Sequence, residues 1–131
     1  MKVSDLTGVL LDYWVARAEG IEAERLSVRF APEVVEDACI RDDIFKFNPS
    51  ESWMLGGPII GRERIGFFQT FHDRHPYFSE GTRWTACLNA TSYEGDMVDG
   101  DASSRGPTQL VAAMRAYVAS KFGNEVPDEG C

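Results

Sequence analysis

Phe47-Asn48-Pro49-Ser50-Glu51-Ser52-Trp53-Met54-Leu55-Gly56-Gly57-Pro58-Ile59-Ile60-Gly61-Arg62-Glu63 is the stretch around which the chain arranges itself. It is dense in residues that fix backbone shape. Pro49 and Pro58 each lock φ, remove a donor and push the preceding residue toward extended geometry. Gly56 and Gly57 open left-handed conformations that a side chain resists, so at least one of them is expected at positive φ. Trp53 is large enough to anchor the stretch to a core, and a largely buried Trp53 is the expectation. The stretch reads as a rigid loop. It turns the chain and delivers Pro58 as the first residue of a short helix or the start of a strand.

On its N-terminal side, Leu6, Val9, Leu10, Tyr13 and Trp14 recur at helical spacing. They describe an amphipathic helix from about Asp5 to Glu19, with Gly20 at the left-handed C-cap. Leu26-Ser27-Val28-Arg29-Phe30 alternates apolar and polar residues, a half-buried strand that Pro32 stops. The acidic run from Glu33 to Asp43 fits no single period and reads as irregular, or as a short helix. On the C-terminal side, Ile65 to Phe71 and Thr82 to Ala90 read as strands joined by a loop around His72 and His75. Glu94 to Arg105 is rich in Gly, Asp and Ser and reads as a mobile surface loop.

Gly106-Pro107-Thr108 then opens the strongest helix, Pro107 to Phe122, where Leu110, Met114, Val118 and Phe122 sit four apart. Gly123 caps it, and the tail from Asn124 to Cys131 should fray. The expected fold class is α+β: a small, mainly antiparallel sheet packed with two longer helices near the chain ends. At 131 residues, one domain over 1–131 is expected.

The chain carries 21 acidic and 13 basic residues and a net charge of −8. That balance disfavours sequence-independent contact with nucleic acid, which needs a basic face against phosphate. Cys39, Cys87 and Cys131 show no CxxC spacing and fit a reducing compartment. No apolar run reaches membrane-spanning length, so no membrane partner is expected.

His72 and His75, with Asp73, have a spacing that can bind metal on one helical turn. Pro76 and the lack of a further ligand argue for a solvated loop instead. Asp42-Asp43 and Asp96, Asp99 and Asp101 look hydrated rather than catalytic, since working carboxylates need burial or a charged neighbour. There is no Walker sequence and no GxGxxG, and no cofactor or metal is expected. The most informative constellation is Ser103-Ser104-Arg105-Gly106-Pro107-Thr108. It places two hydroxyls and a guanidinium at a helix N-terminus, where free N–H groups favour an anion. The bland alternative is ordinary N-capping by Ser or Thr. With Gly56, Gly57 and Trp53 brought alongside Arg105, Gly106 and Thr108, the two stiff Gly-Pro stretches would wall a pocket for a nucleotide-sized anion.

Three blocks carry a family resemblance. They are Leu6-Thr7-Gly8-Val9-Leu10-Leu11-Asp12-Tyr13-Trp14 running on to Gly20, then Asn48-Pro49-Ser50 to Trp53 with Gly56-Gly57-Pro58-Ile59-Ile60, then Gly106-Pro107-Thr108-Gln109-Leu110-Val111 running on to Gly123. In order and spacing the chain resembles the NinX-type proteins of lambdoid phages and bacterial prophages. Family members often carry an acidic residue where this chain has Gly61. The resemblance implies a phage or prophage origin and the cytoplasm of a bacterial host, and it brings no catalytic residue with it.

The functional expectation is therefore a non-catalytic phage accessory protein. It would bind a small anionic, nucleotide-like ligand or a host protein, with a homo-oligomer left open. The alternative is a small hydrolase or nucleotide-modifying enzyme using His72 or His75 with a carboxylate.

Overall fold

The computed structural model describes residues 1–31, 34–42, 45–70, 79–93 and 96–127. A 3-10 turn at Val3–Asp5 precedes helix α1, Gly8–Ala18. The helix ends as its sequence requires. Gly20 takes φ +73° while its N–H reaches Arg17 O at 3.1 Å and Ile21 N reaches Ala16 O at 2.9 Å. That double bond pattern closes the orphan carbonyls of the last turn.

Strands β1 (Ala23–Ala31), β2 (Val34–Arg41) and β3 (Phe45–Lys46) follow and pair antiparallel in that order. From Val34 to Arg41 the acidic run after Pro32 is thus a strand, not an irregular segment or a helix. Its pairing along β1, from Ala23 opposite Arg41 to Ala31 opposite Val34, decides the matter. Strand preference depends on the neighbour a segment finds more than on its own period.

After a turn at residues 48–51, α2 spans Trp53–Arg62. The central stretch is therefore mostly helix, with Pro58 inside it rather than at its start. Gly56 and Gly57 both keep ordinary negative φ, against expectation. Gly56 is needed for a different reason. A Cβ there would meet Pro49 O at 2.6 Å and Leu110 Cδ2 at 2.7 Å, whereas one on Gly57 would meet nothing within 4 Å.

Strands β4 (Gly66–Gln69), β5 (Trp84–Tyr93) and β6 (Asp96–Gly106) form a second antiparallel sheet, with a short 3-10 turn at Glu80–Thr82 ahead of β5. From Asp96 on, the segment expected as a mobile loop is β6. Its register slips between Ala86 and Leu88, Leu88 and Thr91, and Thr91 and Ser92, so no clean alternation survives to be read. Glycine in this segment also serves close approach, since a Cβ on Gly100 would lie 2.9 Å from Cys87 Cβ.

Helix α3, Gln109–Phe122, crosses β5 and β6 and packs on α1. Leu11, Trp14 and Val15 of α1 meet Met114, Tyr117 and Val118 of α3 in one core, together with Leu6, Phe47 and Ile59. The result is an α+β protein with a helix near each end of the chain and two three-stranded antiparallel sheets among the described residues. The end of the chain is also tied down as far as Val126. Val3 N bonds Asn124 O at 2.9 Å and Val126 N bonds Met1 O at 2.9 Å, so Asn124 to Val126 do not fray.

One polar node joins the three helices. Arg62 donates to Glu19 through Nη1 at 3.1 Å and Nη2 at 2.6 Å, and Nη2 also donates to Tyr117 Oη at 3.1 Å. Tyr117 donates in turn to Glu19 Oε2 at 2.5 Å. Burial would raise the Glu19 pKa, but the donors from Arg62 and Tyr117 prevail and hold it below its ordinary value.

Candidate functional site

The chain enters α2 and α3 through segments that are held differently; Gly106-Pro107 precedes α3, whereas Gly57-Pro58 lies inside α2. Before α2, the carboxylate of Asp12 on α1 accepts the Ser50 N–H at 2.9 Å. Asp12 is only 3% exposed. Burial pushes its pKa up to about 6, although the hydrogen bond from Ser50 pulls the other way. Before α3, Thr108 caps its own helix, accepting from Val111 N at 3.1 Å through Oγ1. The Thr108 hydroxyl of the sequence's anion motif is therefore engaged in capping. Gly106 is buried against the first turn, where a Cβ would come within 2.7 Å of Ala112 N.

The two starts touch. Gly56 packs on Leu110, and Trp53 shares a groove of about 480 Å³ with Ser50, Glu51, Thr108 and Gln109. Of the residues expected at the site, Trp53 and Thr108 line this groove and Gly56 lies behind its wall. Gly57 does neither. Trp53 itself is 51% exposed, not buried, and Met54 beside it is 83% exposed. One side of the Trp53 ring rests on Phe67 at 6.3 Å between centroids, and Phe67 meets Trp84 edge-on at 6.2 Å. The row of rings fixes the indole while leaving much of it open to solvent.

Arg105 goes elsewhere. It lines a second cavity, of about 450 Å³, with Ser103, Ser104, Lys2, Ser4 and Arg115. Arg115 was not among the residues expected at the site. Its place on α3 reads as one polar position in an apolar helix, and only the fold turns it inward. Arg115 Nε donates to Leu6 O at 2.7 Å and Nη1 to Arg105 O at 2.8 Å, so it clamps the end of β6. The expected pocket is thus two places: an aromatic groove at Trp53 and a basic cavity at Arg105.

A further concavity, of about 640 Å³, lies at the end of α1 and is lined by Arg17, Glu22, Glu24 and Asp42, none of them expected at a site. His72 and His75 lie outside the described residues. Among the described residues, no group of three or more His, Cys, Asp or Glu could hold a metal, and no helix is long and apolar enough to cross a membrane.

Element order and end helices define an α+β protein built on two small antiparallel sheets. The family model described as Bacteriophage P22, NinX matches residues 2–121, and the chain belongs to that family. It is a phage protein, as the three sequence blocks implied. No curated protein matches it.

Proposed function

We propose that this phage accessory protein acts by binding rather than by catalysis, and that a host protein docks at the Trp53 groove. The carrying observation is the exposure of Trp53 and Met54 on the first turn of α2, beside a concave surface. Large apolar side chains left open next to a groove mark interaction surfaces, and tryptophan is enriched among the residues that dominate binding energy. Its support by Phe67 and Trp84 lowers the ordering cost of binding. The groove contains Glu51 and no cation, so an anionic small molecule suits it poorly. A partner with an apolar side chain for the groove and basic residues around it suits both the groove and a chain of net charge −8.

The test is capture from lysate of the bacterial host by immobilised wild type and by the Trp53→Ala, Met54→Ala double variant, checked first for a wild-type circular dichroism spectrum. A host protein held by the wild type, lost by the variant and released as salt rises supports the reading. Equal capture by both forms, or no capture, overturns it.

A further inference from the structure

We propose that the cavity walled by Arg115, Arg105 and Lys2 is a binding site for a small phosphate-bearing anion, a phosphomonoester in chemical class. Arg115 is the key observation. It is 9% exposed, yet it donates its hydrogen bonds to two neutral carbonyls, Leu6 O and Arg105 O. Among the described residues it makes no ion pair, and Asp5 acts on it only as a nearby charge. A guanidinium stays protonated when buried, so its charge must be compensated by something other than loss of a proton. A buried cation with no carboxylate bonded to it is costly, and a bound anion is a direct remedy.

The rest of the wall fits that ligand. Lys2 and Arg105 add positive charge, and Ser4, Ser103 and Ser104 add hydroxyl donors. Glu125 is the acidic residue in the lining, and Asp5 stands close by. Lys2, Arg105 and Arg115 thus share the lining with one carboxylate, Glu125, in a chain of net charge −8. Guanidinium and hydroxyl donors match the oxygens of a tetrahedral phosphate, with Arg able to donate in pairs. The volume, about 450 Å³, leaves room for an organic group beyond the phosphate. Anion recognition at Ser103-Ser104-Arg105 is thereby separated from the N-terminus of α3, where Thr108 serves as a cap. It is also separate from the host-protein surface at Trp53.

Isothermal titration calorimetry on the full chain, with inorganic phosphate and with adenosine monophosphate as probes, tests the site. Either probe should bind saturably to the wild type. Arg105→Ala should weaken that binding by at least about tenfold, the order expected when a charge-assisted hydrogen bond is lost. Arg83→Ala, which removes a cation outside the cavity lining, should leave it unchanged. Failure of both probes to bind the wild type overturns the proposal, as does unchanged binding in Arg105→Ala. Equal weakening by Arg83→Ala and Arg105→Ala would also overturn it, since that reports general charge. Arg105 is exposed, so its removal should leave the fold intact. Retention of the wild-type melting temperature checks this.

Discussion

The entries to α2 and α3 are secured in opposite ways. Gly106-Pro107-Thr108 starts α3 with local means: Thr108 caps the helix three residues on, and Arg115 of the same helix reaches back to the Arg105 carbonyl. Gly56-Gly57-Pro58 lies inside α2, whose N-cap Ser52 makes no side-chain cap bond. The chain entering α2 is held instead by Asp12, 38 residues away in sequence, and by the close seat of Gly56 on Pro49 and Leu110. One start is fixed by its neighbours in sequence and the other by its neighbours in space.

The largest expected effect breaks the spatial anchor. The Asp12 pKa is raised on folding, from 3.8 to about 6, so the folded state favours the protonated carboxyl. Its contribution to stability is therefore fully present below about pH 4 and is lost as pH rises through about 6. Asp12→Asn does not titrate. Urea unfolding of both proteins should show the wild type losing up to about 3 kcal/mol relative to the variant between pH 4 and pH 8, by the usual conversion of a pKa shift. A difference flat across that range would mean that Asp12 is not buried against Ser50 as described.

The glycine pair sharpens the contrast next. Gly56→Ala should destabilise by about 1–3 kcal/mol, the cost of forcing atoms into a packed site. Gly57→Ala, one residue on and facing open space, should stabilise by roughly 0.5–1 kcal/mol through helix preference. Chemical denaturation of the two variants checks the sign of each. The local anchor should give the smallest loss, with Thr108→Ala costing about 1 kcal/mol as a lost N-cap does.

This contrast also explains what the sequence made legible. The α3 start, the Gly20 turn and the end helices follow from local chemistry, namely capping, glycine at positive φ and four-residue spacing, and each was readable. Strands β2 and β6 were not, because their identity comes from partners in the sheet and, in β6, from slips in register that erase alternation. The two glycines of α2 were misjudged for the same reason. Glycine signals either a special φ or a close approach, and only the folded neighbours distinguish the two. At the candidate site, Trp53 and Thr108 line the same groove. The turn of Arg105 away from them, into a cavity with Arg115, depends on which face of β6 each residue occupies, and the irregular register hid that.

The exposure of Trp53 carries the proposed docking surface, and its stability effect is the most direct measurement. Trp53→Ala unfolding in urea should show a loss below about 1.5 kcal/mol, in keeping with an indole that keeps half its surface in solvent. A loss of about 3–5 kcal/mol, the range for a fully buried aromatic, would return Trp53 to the core and remove the surface on which the docking reading stands.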